Sequence, residues 1–316
     1  MADKRTVLVT GAAGALARRV IHRLHDHGHG VVAVDFRRRA ETPAGIPSFK
    51  VEMHKRGFED IFLNHKIDAV IHIGRIFTHE QDTSRRYNSN VLGTRRLLEL
   101  CKKYYVRQVL IHSTYFVYGA HPYNPALLDE ETPLKASEIT QDLVDSVELE
   151  NLAHVWMWKH QEQSITILRP CNVLGPGVRN SMALLLSRPY APVLLGFAPL
   201  MQFLHVDDMA DAYVTAFEQN KPGIYNVAPD DWLPYPEAVR QAGCRAIPVP
   251  SIPPMVPKTI SSLFRWNAFF PPYLINYFKY PVVIDGKLFR ETFGWAPKKD
   301  LNDIFAVYRK VKKLAA

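Results

Sequence analysis

Val7-Leu8-Val9-Thr10-Gly11-Ala12-Ala13-Gly14-Ala15-Leu16-Ala17 reads as a strand, a tight turn and the opening of a helix. A turn made of glycine and alanine lets the backbone approach a ligand closely. The helix start behind it offers unpaired N–H groups and the positive end of a dipole, which together suit a phosphate. Gly11, Ala13, Gly14, Ala15 and Leu16 are therefore candidate cofactor-binding residues. Ala17 takes the third glycine position of a dinucleotide turn, which governs helix–strand packing and tolerates alanine. Asp35 closes the next apolar strand about 20 residues on, where a carboxylate accepts ribose hydroxyls. That carboxylate favours NAD because it repels a 2′-phosphate. Arg37 and Arg38 stand beside it and suit NADP, so NAD is expected and NADP is the alternative.

The same alternation continues outward. Val31–Val34, Ala69–Ile73, Gln108–His112 and Ser164–Leu168 are apolar runs of strand length. Between them, residues 15–27, 57–65, 90–104 and about 139–160 carry apolar residues at helical spacing. Buried strands alternating with helices imply a parallel sheet covered on both faces. The expected fold is α/β, a Rossmann-type doubly wound sheet over 1–170, with 171–316 mainly a smaller C-terminal α/β substrate domain whose chain crosses back to the sheet. Eight of the 23 prolines fall between 248 and 281, mixed with Trp266, Phe269, Phe270, Tyr273, Tyr277, Phe278 and Tyr280. This stretch is expected to be small-domain core. A sharper alternative makes it the wall of an apolar substrate site or a peripheral membrane contact.

Composition sets outer limits. Of 316 residues, 47% are hydrophobic and 22% charged, which excludes a disordered chain. Three cysteines, Cys101, Cys171 and Cys244, cannot make a disulfide scaffold. The net charge of +8 is spread along the chain with no aromatic-interleaved basic motif, so no nucleic-acid partner is expected. The opening residues do not read as a secretory leader. Pro189 to Val206 carries no formal charge, but three prolines would break a spanning helix, so a loop and a buried strand are expected there. The expected compartment is cytoplasmic.

Further motifs follow in order: Asp68–His72, Asn90-Val91-Leu92-Gly93-Thr94, Ser113–Gly119, Leu168–Pro176, Phe203–Ala210 and Tyr225–Ala228. With the glycine turn, they make the chain resemble an extended short-chain dehydrogenase/reductase of the NAD-dependent epimerase/dehydratase family. The resemblance covers nearly the whole chain. It implies NAD(P) binding and chemistry on a carbonyl or hydroxyl substrate such as a nucleotide-sugar, whereas the uncharged aromatic stretch from Trp266 to Phe278 points to a more apolar steroid- or lipid-like molecule. The resemblance adds Ile73, Gly74, Arg75, Asn90, Ser113, Pro170, Asn172 and Val173 to the cofactor residues. A nucleotide-sugar needs charged clamps on its diphosphate, and Arg179 and Arg290 are the candidates. The same resemblance also implies a homodimer through helices near 92–104 and 139–160.

One departure stands out. The resemblance implies a tyrosine, with a lysine four residues later, ahead of the Leu-Arg-Pro strand. Counting back reaches Asp142 and Ser146, and no tyrosine lies between Tyr123 and Tyr190. Thr114 holds the family's Ser/Thr position and would orient the substrate oxygen. Tyr115, Asp142 or ordered water would then move the proton, although Asp142 and Ser146 read more readily as helix surface or cap. His72 is expected to be structural, Asp207 or Asp208 to cap a helix, and His22, His25, His27 and His29 to be solvated surface. Cys171 lacks a neighbouring base and is a weak candidate nucleophile. An enzyme with an unusual acid/base arrangement is one reading. A catalytically impaired dinucleotide-binding sensor or scaffold is the second, and a peripheral lipid-handling protein the third.

Overall fold

The computed structural model describes residues 4–76, 83–140, 143–251 and 274–315. Strand β1 (Thr6–Thr10) leads into α1 (Ala15–Asp26), followed by β2 (Gly30–Asp35), β3 (Ser48–Lys50), α2 (Arg56–Asn64) and β4 (Ala69–His72). Helix α3 (Thr83–Tyr87) passes through a π-helical turn at Asn88–Leu92 into α4 (Gly93–Lys103). Next come β5 (Gln108–His112), a 3₁₀ turn at Tyr115–Tyr118, α5 (Ala136–Ile139), α6 (Val144–Lys159) and β6 (Ser164–Pro170). Shorter pieces follow: β7 (Asn172–Leu174), α7 (Ser181–Leu186), β8 (Tyr190–Leu194), β9 (Leu200–Met201) and β10 (Phe203–His205). Helix α8 (Val206–Gln219) precedes β11 (Gly223–Val227), β12 (Leu233–Pro234), α9 (Tyr235–Gln241) and β13 (Arg245–Val249). The helices Lys287–Phe293 and Leu301–Ala315 come last.

Seven strands form one sheet in the order β11-β6-β5-β4-β1-β2-β3, and every neighbouring pair is parallel. Alternation along each strand sends residues to opposite faces. Val7 and Val9 join a core with Ala17, Val20, Ile21 and Leu24 of α1. Leu8 faces the other way, into a core with Phe58 and Ile61 of α2, Leu97 and Leu98 of α4 and Leu149 of α6. Both faces are therefore covered, which is why the strands read as unbroken apolar runs. Strand β11 pairs with β6, and α8 packs on α1. Strand order reverses at β1, with β4 on one side and β2 on the other. An open α/β sheet binds ligands at such a point.

Some details differ from expectation. The uncharged run from Pro189 to Val206 holds three short strands, β8, β9 and β10, instead of one. No helix among the described residues is long and apolar enough to cross a membrane. The helix expected over 139–160 is broken: α5 ends at Ile139 and α6 begins at Val144. The cap of α8 is His205, whose Nδ1 accepts from the Asp207 amide at 3.2 Å, not Asp207 or Asp208. Asp207 pairs with Arg19 and Asp208 accepts from the Lys299 amide, so both carboxylates have tertiary roles while still favouring the helix start. His29 departs from the solvated cluster: it is buried edge-on against Phe217, while His25 and His27 are exposed. Asp142 and most of the aromatic, proline-rich stretch, Trp266, Phe269, Phe270 and Tyr273 included, lie outside the described residues.

Candidate functional site: a crevice with three neighbouring hollows

The glycine turn is shaped by a close approach. Gly11 has φ +69°, and a Cβ on it would lie 2.6 Å from the Cα of Gly74, in the loop after β4. Only glycine combines that backbone with that contact. Gly14 precedes α1 with extended backbone and no capping side chain, and the first turn of α1 holds no acidic residue. The helix's first N–H groups thus face a cleft with their dipole unopposed, the arrangement that holds a phosphate. Gly11, Ala13, Gly14, Ala15 and Leu16 line this groove with Ile73, Gly74 and Val173.

Asp35 ends β2 fully enclosed. Its carboxylate accepts from the Ala13 amide at 3.1 Å, the Arg37 amide at 2.8 Å and the Arg37 guanidinium at 3.1 Å through both Nε and Nη2. Of the residues that were to decide between NAD and NADP, Asp35 and Arg37 are thus paired with each other. Asp35 lines a hollow on the adenosine side of the crevice with Val34, Phe36 and Met53, while Arg37 and Arg38 line the groove at the α1 N-terminus.

Beyond β4 the loop is pinned by Asn90. Its Oδ1 accepts from the Ile76 amide and its Nδ2 donates to the Ile76 carbonyl, both at 2.8 Å. Nδ2 also donates to Asp145 at 2.5 Å. Asn90 lines the adenosine-side hollow, yet its amide is spent on holding the chain.

The inner hollow lies against the ends of β5 and β6. Ser113, Thr114, Tyr115, Pro170, Asn172 and Val173 line it with His112, Leu143, Ser146, Cys171 and Met182. Thr114 heads the 3₁₀ turn, and its Oγ1 accepts from the Phe116 amide at 3.3 Å. Tyr115 donates its hydroxyl to Asn172 at 2.9 Å and packs on Phe116. Ser113 bonds Glu150, which is itself held by Arg169 at 2.5 Å. Burial pushes the Cys171 thiol far up, which keeps it from being a nucleophile at neutral pH.

Arg179 is exposed and lines the groove at the α1 N-terminus, not the inner hollow. Arg290 lines none of the three hollows; its guanidinium is held by Asp230 and by the Ala228 carbonyl. Ser146 corrects the reading of its position as helix surface or cap: it is buried and accepts from Arg75 at 2.7 Å. The sequence reading also missed His112. Its Nδ1 lies 2.8 Å from the Tyr213 hydroxyl, and burial, with Arg75 second, pushes its pKa down to about 3. A signal for it existed, since it ends a central strand of a parallel sheet at the edge where ligands bind. His72 is the structural residue expected, bonded to Thr10 at 2.7 Å and Thr94 at 2.9 Å.

Comparison with known proteins agrees with this geometry. An uncharacterized Mycobacterium tuberculosis protein is 27% identical over 96% of this chain and 83% of its own length. A UDP-glucose 4-epimerase of Azospirillum brasilense is 29% identical over 66% of this chain and 67% of its own. Among solved structures, the Thermotoga maritima UDP-glucose 4-epimerase with UDP-glucose superposes with TM-score 0.78 at 19% identity, covering 98% of this chain and 100% of that one. The Bacillus anthracis dTDP-glucose 4,6-dehydratase in complex with NAD gives TM-score 0.76 at 18% identity over 98% and 97%. Residues 7–228 match the NAD dependent epimerase/dehydratase family, and the chain belongs to that family.

Proposed function

We propose that the chain binds NAD(H) along the crevice and exchanges hydride with a carbonyl or hydroxyl substrate in the inner hollow, without a tyrosine–lysine pair. The observation carrying this reading is that three hollows with shared lining residues lie along the β1–β4 crevice, from Asp35 past the α1 N-terminus to Thr114. The residues present fit a dinucleotide: the turn excludes side chains, and the α1 amides lack side-chain partners. When bound, the nicotinamide supplies a site that accepts or donates hydride. The α1 amides would hold phosphate oxygens, with Arg38 and Arg179 adding charge at the groove. Thr114 Oγ1 already accepts one bond, so its proton is free to orient a substrate oxygen. Tyr115 is a candidate proton donor that would first have to leave Asn172. Asp142 is the alternative base.

Phe116, Leu143, Cys171, Met182 and Leu274 give the hollow an apolar wall, which favours a substrate with one apolar face. The relatives named for UDP-glucose put nucleotide-sugars on the same panel, with Arg179 as the phosphate clamp; Arg290 would have to exchange Asp230 for such a ligand. The test is to mix the protein with NAD⁺ and a panel of nucleotide-sugars and steroid- or lipid-like secondary alcohols, then follow reduced nicotinamide by absorbance. Turnover that falls about 100-fold in Thr114→Ala is the expected result. Dinucleotide binding with no turnover would support the second reading, a sensor or scaffold, which Ser146 in place of a basic residue on α6 favours. Leu92, Val155 and Trp158 are exposed on the helices expected to pair two copies, which supports a homodimer that sedimentation would test.

A further inference from the structure

Arg75 is held by the loop that Gly11 and Asn90 fix, and its side chain reaches across the cleft to α6. Nη2 donates to Ser146 Oγ at 2.7 Å, and no other hydrogen bond or ion pair of this guanidinium exists among the described residues. A guanidinium has five N–H donors, so most are unspent. The neighbouring carboxylates are taken. Asp145 accepts from Asn90 and faces Arg86 at 3.4 Å. Glu150 is shared by Ser113 and Arg169. Arg75 is half-buried, and burial lowers its pKa despite the pull of Asp145 and Glu150. A cation removed from water without its own counter-charge is costly unless a ligand supplies acceptors. Among the described residues, Arg75 alone lines all three hollows, so it stands at their junction.

We propose that Arg75 is the cation that holds the dinucleotide at this junction, donating paired N–H bonds to the hydroxyls of the sugar ring next to the inner hollow, with Ser146 as its positioning residue. The inference rests on the dinucleotide reading and deepens it. The positive charge that α6 lacks at position 146 arrives instead from the loop after β4, with its tip beside that position. A serine there is then required by space: it is short enough to admit the guanidinium and polar enough to aim it. Because a guanidinium stays charged to high pH, Arg75 can bind and orient but cannot relay a proton.

The test is calorimetric titration of NADH into the purified wild type, Arg75→Ala, Arg75→Lys and the double variant Arg75→Ala/Ser146→Lys. Thermal unfolding of each without ligand is followed in parallel. Arg75→Ala should weaken NADH about tenfold or more, with no fall in its unfolding midpoint. Arg75→Lys should retain part of the affinity. The double variant should regain most of what Arg75→Ala loses, because the charge returns to the same junction from the helix. Undiminished binding by Arg75→Ala would overturn the proposal alone, as would weakened binding that the double variant fails to restore. No NADH binding by the wild type would overturn the dinucleotide reading and this proposal with it.

Discussion

His72 carries its proton on one nitrogen only, and its neighbours say which. The Thr94 hydroxyl donates to the Asn90 carbonyl at 2.5 Å, so it accepts from His72 Nε2–H. The Thr10 oxygen accepts the Gly74 amide at 3.2 Å and donates its hydroxyl to Nδ1. Protonating Nδ1 would break this chain, and burial, with Arg75 second, pushes the His72 pKa from 6.5 down to about 3. Above the unfolded value both states are neutral and the residue has no effect on pH dependence. As pH falls below 6.5 the unfolded chain takes a proton that the folded one refuses, so stability declines until about pH 3. At about pH 5 His72 alone should cost about 2 kcal/mol, with His112 adding in the same direction. Urea unfolding from about pH 7.5 down to pH 5 checks this, and a flat profile would contradict it. Asp35 and Arg37 give a second expectation at this scale. Removing the guanidinium in Arg37→Ala would leave the Asp35 carboxylate unneutralised beside the ribose. NADPH should then bind about tenfold more weakly while NADH changes little, as parallel titrations would read.

At the scale of elements, the crevice depends on the turn after β1 and the loop after β4 touching backbone to backbone. Gly11→Ala forces a Cβ to within 2.6 Å of the Gly74 Cα at φ +69°. It should cost about 2–4 kcal/mol by thermal unfolding and spread the crevice enough to weaken dinucleotide binding. This turn was legible in the sequence because its requirements are local: a strand period, small residues and a helix start. Helix α1 and the central strands were legible for the same reason, their apolar periods being set by the faces they bury. The site was legible only where it borrows from those elements. Ser146 was misread because its partner, Arg75, lies 71 residues away in sequence, and no spacing rule connects a loop to a helix across a cleft. His205 was overlooked as a cap because two aspartates follow it, and the choice among the three depends on Arg19 and Lys299 from distant segments.

Across the whole molecule, one buried polar chain ties the inner hollow to the edge strand β11. Ser113 bonds Glu150, Glu150 pairs with Arg169, Arg169 donates to the Tyr118 hydroxyl at 2.7 Å, and Tyr118 donates to Asn226 at 2.7 Å. Arg169 also reaches the Glu130 carbonyl at 3.0 Å, so β6, α6, β11 and the 128–130 segment share one charge pair. Breaking it by Arg169→Met strands the Glu150 carboxylate in the core and should cost about 3–5 kcal/mol in urea unfolding. The double variant Arg169→Met/Glu150→Leu should recover much of that loss, since the desolvation cost leaves with the pair.

The central claim is that the crevice between β1 and β4 is a dinucleotide site. Calorimetric titration of NAD⁺, NADH, NADP⁺ and NADPH into the wild type and Gly14→Trp tests it most directly, because a Cβ at position 14 meets only the Gly11 carbonyl oxygen, at 3.1 Å, so the substitution obstructs the turn itself. Saturable binding of NAD⁺ and NADH by the wild type, lost in Gly14→Trp while its fold persists by circular dichroism, is the expected result. No binding of any of the four by the wild type, or equal binding by Gly14→Trp, would contradict it.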